Sequence, residues 1–193
     1  MNKIMYWPGF ARKDDELLYL LSEVKKRGFD VTKFPYNYDY GNIIPHEWNT
    51  LVEWDFDWWL GISLGASLMV YSLRFLPIEY YPKRITIINP FYSRSELAKK
   101  NGFDMSNQMD FKLDQIVKNI DKIELVSSLY DEKIRMNDGV RVVCNFEATN
   151  RSIIFVKSNH GIDDSYVQTE LAHILIPNKD YNEKYKYCDI YFN

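Results

Sequence analysis

Residues 57–65 read Asp-Trp-Trp-Leu-Gly-Ile-Ser-Leu-Gly, and this stretch decides the fold. Beyond Asp57 the residues up to Ile62 are apolar on both alternating faces. That suits a strand in the middle of a parallel sheet rather than one with a solvated face. From Leu64 to Leu76 apolar residues lie almost all round a helix, a pattern a globular protein accommodates only when the helix is deeply buried. The sixteen uncharged residues from Trp58 to Leu73 fall short of the about 20 a membrane-spanning helix needs, and Gly61, Ser63, Gly65 and Ser67 interrupt them.

Outward from this pair, strand and helix patterns alternate. Upstream, Ile4–Trp7 is a short apolar strand stopped by Pro8-Gly9. A helix is expected from about Asp14 to Arg27, with Leu17, Leu18, Leu20, Leu21 and Val24 on one face and Gly28 ending it. Phe29–Phe34 reads as a second strand, 37–42 as a loop and 45–53 as a short helix. Downstream, Arg84–Ile88 is a fourth strand closed by Asn89-Pro90, and Lys122–Ser127 a fifth. Between them, residues 91–121 carry helical material, best marked by Phe111, Leu113, Ile116, Val117 and Ile120. Residues 137–150 fit either a helix capped by Asp138 or a β-branched strand. Ser152–Val156 is a sixth strand, and Asp163–Ile176 a closing amphipathic helix. This repetition implies one domain over residues 1–193, a three-layer α/β/α sandwich around a mostly parallel sheet.

Bulk properties exclude several function classes. The net charge is −3 and the basic residues are scattered, so the basic stripe of a nucleic-acid binder is missing. Cys144 and Cys188 are far apart and match neither a zinc pattern nor a disulfide framework. No metal and no cofactor is expected. The first apolar stretch is too short for a signal peptide, and a cytoplasmic protein is expected. The aromatic share, 16%, suits an apolar cleft or, more ordinarily, a core.

Gly61-Ile62-Ser63-Leu64-Gly65 fits G-x-S-x-G. The pattern has a steric basis: a serine on a tight strand-to-helix turn needs small flanking residues where backbone approaches backbone. The hydroxyl then stands at the carboxyl end of the sheet above a helix N-terminus. A serine hydroxyl needs a base to become a nucleophile. Of His46, His160 and His173, His160 lies just beyond the sixth strand and should emerge at the same sheet edge as Ser63. His173 sits inside the last helix, and His46 lies in a loop beside Pro45. A carboxylate must then orient the imidazole. Asp131 directly follows the fifth strand; Glu132 and Asp138 compete with it. Asp163 and Asp164 are better read as helix caps, and Asp55 and Asp57 lie at the wrong end of the third strand. For an oxyanion, the N–H of Leu64 is one expected donor. The N–H of Phe10, after the Pro8-Gly9 turn, is the second candidate, although a plain chain reversal would use the same turn.

Ser63, Asp131 and His160, in that order and with that elbow, resemble the α/β-hydrolase superfamily over nearly the whole chain. The resemblance implies a serine hydrolase acting on a small-molecule ester or thioester, free or carrying its acyl group on a carrier. An acyltransferase or a catalytically silent binding protein would use the same scaffold. Trp7-Pro8-Gly9 stands where that family often has a His-Gly pair. The short length implies a minimal or absent cap, with Phe10, Phe91, Tyr92 and Tyr130 as candidate walls of an open cleft.

Overall fold

A computed structural model describes residues 3–9, 17–35, 53–102 and 110–176. Its elements run β1 (Lys3–Trp7), α1 (Leu18–Lys26), β2 (Asp30–Lys33), β3 (Trp58–Ile62), α2 (Leu64–Ser72), β4 (Arg84–Ile88), α3 (Arg94–Asn101), β5 (Lys122–Ser128), α4 (Met136–Cys144), β6 (Asn150–Val156) and α5 (Ser165–Leu175). The six strands described form one sheet in the order β2-β1-β3-β4-β5-β6. Every neighbouring pair is parallel, with Ile62 opposite Ile88, Ile88 opposite Val126 and Val126 opposite Ile154. All strands therefore end on one edge. The chain builds outward in one direction from β1 to β2 and in the other from β3 to β6. The carboxyl ends of β1 and β3 consequently flank the switch point where parallel sheets form their ligand crevice.

The side chains divide as the period of two demands. Met5, Trp7, Trp59, Ile85, Ile87, Ile123 and Leu125 face α2 and α4. Ile4, Tyr6, Trp58, Leu60, Ile62, Ile88 and Val126 face α1 and α5. Both faces are covered, which makes three layers. In α2 every residue except Tyr71 is buried, as its apolar circumference requires. The aromatic residues near β1 are core: Trp7 stacks on Phe34 at 3.7 Å between ring centroids, and Trp54 and Trp59 pack around them.

Two expectations need correction. The apolar residues at 111–120 do not form a helix; Phe111, Leu113, Val117 and Ile120 are buried from an irregular segment that makes two isolated bridges, Ser93 to Lys112 and Val117 to Phe146. The helix of this crossover is α3, whose charged sequence lacks an apolar stripe and whose start is marked by the Ser93 cap and by Glu96 in the first turn. Residues 136–144 are helical, but Arg135 occupies the cap position and Asp138 lies in the first turn. The loop and helix proposed for 37–42 and 45–53 lie mostly outside the described residues, as do residues 14–16 of the first expected helix. Among the described residues, no helix is long and apolar enough to cross a membrane.

The amino edge of the sheet carries a buried polar network. Glu124, 2% exposed, accepts two bonds from the Arg84 guanidinium at 2.7 and 2.8 Å and one from the Thr86 hydroxyl at 2.6 Å. Lys122 pairs with the same carboxylate at 2.7 Å. Thr86 Oγ1 accepts the Trp58 indole N–H, while Arg84 lies over the Trp58 ring and donates to the carbonyl of Leu175 at the end of α5. Burial pushes the Glu124 carboxyl up, but Arg84 and Lys122 outweigh it and hold the group below its ordinary value. The stabilisation from Glu124 is thus complete above its unfolded pKa, near ~4.3, and is lost as pH falls through the lower folded value. Removing one partner of a buried pair costs about 3–5 kcal/mol. Arg84→Met should therefore lower stability by roughly that amount in urea titrations, whereas the double variant with Glu124→Leu should regain most of it. The double variant should also lose less stability than wild type as pH falls from about 5 to about 2, the range below the unfolded carboxylate pKa.

Candidate active site

Ser63 joins β3 to α2 with φ 53° and ψ −123°, a conformation that residues bearing a Cβ rarely adopt. Its neighbours explain how the turn closes. A methyl on Gly61 would stand 2.7 Å from the Ala66 Cα, and one on Gly65 would collide with the backbone carbonyls of Trp7 and Pro8. The two glycines thus let the first turn of α2 settle against β3 on one side and against the turn after β1 on the other. The Ser63 N–H donates to the Ile88 carbonyl at 2.8 Å, extending the β3–β4 ladder one residue past the strand. Ser67 bonds both ways with the backbone of Phe91 at 3.0 and 3.1 Å, tying α2 to the loop after β4. No side chain caps α2, so the Ser63 hydroxyl is left for another partner.

That partner is His160. The Ser63 Oγ lies 2.8 Å from His160 Nε2, and His160 Nδ1 lies 2.7 Å from Asp131 Oδ2. The Asp131 carboxylate is only 3% exposed and the imidazole 14%. Its other oxygen, Oδ1, accepts the backbone N–H groups of Lys133 and Ile134, both at 2.8 Å, so the carboxylate cannot swing. Burial pushes the Asp131 carboxyl up, but the bond with His160 and the two backbone donors prevail and keep it below its ordinary value. An ionised carboxylate only accepts, so Nδ1 carries the proton and Nε2 offers its lone pair to the serine. The arrangement can therefore move a proton from hydroxyl to imidazole.

The other sequence candidates sort clearly. Tyr130 is 66% exposed beside Asp131. Phe91 and Tyr92, expected as cleft walls, are buried instead: Phe91 stacks on Phe111, and Tyr92 lies under the Arg141 guanidinium. Their positions just after β4 suggested exposure, but the irregular segment at 110–120 covers them. Glu132 is exposed, and Asp138 is half-buried beside Arg141. Asp164 caps α5 through the N–H groups of Tyr166 and Val167, while Asp163 accepts from the Asn159 side chain instead. His173 contacts Arg27, and Asp55 pairs with Lys3 at the amino edge. The Leu64 N–H opens α2 directly after Ser63; Phe10, His46 and Cys188 lie outside the described residues. Among the described residues no cluster of His, Cys, Asp and Glu has the make-up of a metal site. A wide concavity lined by Trp54, Asp57, Tyr80 and Lys83 opens at the amino edge, away from this relay.

No family model and no curated protein matches the sequence. Solved structures do. The esterase domain of a Rhodothermus marinus protein superposes with a TM-score of 0.65 at 11% identity, over 90% of this chain and 84% of that one. The mouse alpha/beta hydrolase domain-containing protein 10 gives 0.65 at 13%, over 90% and 87%. The chain has the α/β-hydrolase fold. A sugar hydrolase from Lactococcus lactis shares it as well, with a TM-score of 0.67 at 12% identity over 90% and 84%. Within the α/β-hydrolase fold, Ser63 stands at the strand-to-helix elbow after β3, and Asp131 and His160 follow β5 and β6.

The strain at the elbow is measurable. At an ordinary site glycine is less stable than alanine by roughly 0.5–1 kcal/mol. At position 63 the order should invert, Ser63→Gly being more stable than Ser63→Ala by about 1 kcal/mol in chemical denaturation.

Proposed function

We propose that this protein is a serine hydrolase that cleaves a carboxylic ester or thioester through an acyl-Ser63 intermediate. The observation that carries the proposal is the continuous relay Ser63–His160–Asp131, with heavy-atom separations of 2.8 and 2.7 Å. Both lie within the reach that proton transfer demands. The fold supports the reading but does not select the reaction, since related scaffolds serve unlike substrates.

In the first half-reaction, His160 Nε2 takes the Ser63 proton as Oγ attacks the carbonyl carbon. Asp131 offsets the charge gained by the imidazole and keeps its Nε2 aimed at the serine. The N–H of Leu64, at the uncapped start of α2, donates to the developing oxyanion. The N–H of Phe10 is proposed as the second donor. Collapse expels the alcohol or thiol, which leaves with the proton held by His160. In the second half-reaction, water loses a proton to His160 and attacks the acyl carbon, restoring Ser63 and releasing the acid. Tyr130, exposed beside Asp131, is proposed to touch the substrate.

A panel of p-nitrophenyl and coenzyme A acyl esters of graded chain length tests the proposal. Turnover should occur and vanish in Ser63→Ala and His160→Ala. Asp131→Asn, which favours the wrong tautomer, should lower kcat by about 10³–10⁴-fold. Turnover that persists in folded Ser63→Ala would reject Ser63 as nucleophile.

A further inference from the structure

Asn89 directly follows β4, and none of the roles assigned above uses it. It is 3% exposed, with φ 46° although the residue before a proline is normally extended. Its backbone N–H donates to the Val126 carbonyl at 2.9 Å. Its side-chain Oδ1 accepts the Ser128 N–H at 2.8 Å, while Nδ2 donates to Ser128 Oγ at 2.8 Å and to the His160 carbonyl at 2.7 Å. The backbone partners fix the amide orientation, because Ser128 N–H can only donate and His160 C=O can only accept. One buried amide thus bridges the end of β5, three residues before Asp131, and the backbone of His160. The residue before it, Ile88, accepts the Ser63 N–H.

We propose that Asn89 is a positioning residue that locks the loop of His160 to the strand end leading to Asp131, and so sets the imidazole between its two partners. The proposal rests on the hydrolase reading of Ser63, His160 and Asp131. The Tyr130 N–H holds the base of this loop through the Ser158 carbonyl at 3.1 Å, whereas the Asn89 amide holds the backbone of His160 itself. Without that second tie the ring would drift, and misplacement on the scale of 1 Å costs about 100-fold in rate. The left-handed backbone of Asn89 explains the residue type. Asparagine is among the few non-glycine residues that tolerate positive φ, and its amide offers an acceptor for the Ser128 N–H and a donor for the His160 carbonyl from one buried position.

Two variants test this in the full-length protein. Asn89→Gly keeps the backbone conformation and deletes the amide. Asn89→Asp keeps size and the acceptor toward Ser128 but sets an oxygen against the His160 carbonyl. Both should lower kcat by about 10- to 100-fold with KM changed less than about 2-fold. In proton NMR, both should broaden or displace the far-downfield resonance of the His160 Nδ1–H shared with Asp131. Thr86→Val, which disrupts the network at the opposite edge, serves as the stability control. It should lower the unfolding midpoint while leaving kcat and that resonance unchanged. Wild-type kcat and an unmoved resonance in both Asn89 variants would overturn the proposal, as would an equal kcat loss in Thr86→Val. Absence of turnover in the wild type would count against the hydrolase reading alone. The resonance would then still decide whether Asn89 holds His160.

Discussion

The backbone of Ser63 is held in a conformation it would not keep alone, and the rest of the site depends on that constraint. Three contacts impose it: the bond from its N–H to Ile88, the approach of Ala66 to Gly61, and the seating of Gly65 under the carbonyls of Trp7 and Pro8. Each comes from a different strand. The elbow is therefore stabilised by β1, β3 and β4 together, and strain of about 1–3 kcal/mol is sustained because the surroundings over-determine the turn. Its consequence is chemical. The hydroxyl neither caps α2 nor packs into the core, and it meets an imidazole delivered from the far side of the sheet.

Parallel topology supplies that imidazole. Because β3, β4, β5 and β6 all run the same way, the residues that follow them emerge on a common edge whatever their separation in sequence. Ser63, His160 and Asp131 meet there in one hydrogen-bonded chain. The opposite edge carries a different load. Glu124, Arg84, Thr86 and Trp58 form a satisfied polar network under the end of α5, and Lys3 pairs with Asp55 nearby. Strain gathers at one edge and buried ion pairing at the other.

Much of this was legible from residue pattern. The run from Trp58 to Gly65 announced a central strand, a buried helix and the turn between them, because burial on both faces leaves a distinctive apolar signature. Asp131 and His160 were legible because each follows a strand directly and strand ends fix position. Other features left no such trace. Phe111, Leu113, Val117 and Ile120 carry a helix-like spacing, yet they are buried from an irregular segment by tertiary packing. The α3 helix is polar nearly throughout, so no periodicity marks it. Asn89 reads as a turn residue before Pro90, and nothing local reveals that its amide spans to Ser128 and His160, partners 39 and 71 residues away. Phe91 and Tyr92 follow β4 directly, a place that suits a cleft wall, yet they are buried against the irregular segment that carries Phe111.

The central claim is that the Ser63 oxygen, activated by His160, attacks an electrophile whose oxygen then faces the Leu64 N–H. A crystal structure of the protein after reaction with an alkyl fluorophosphonate tests it most directly. The account predicts a single adduct with phosphorus bonded to Ser63 Oγ, the phosphoryl oxygen within hydrogen-bond distance of the Leu64 amide, and the imidazole still bonded to Asp131. Unmodified Ser63 in well-ordered crystals, or phosphorus on another residue, would contradict it.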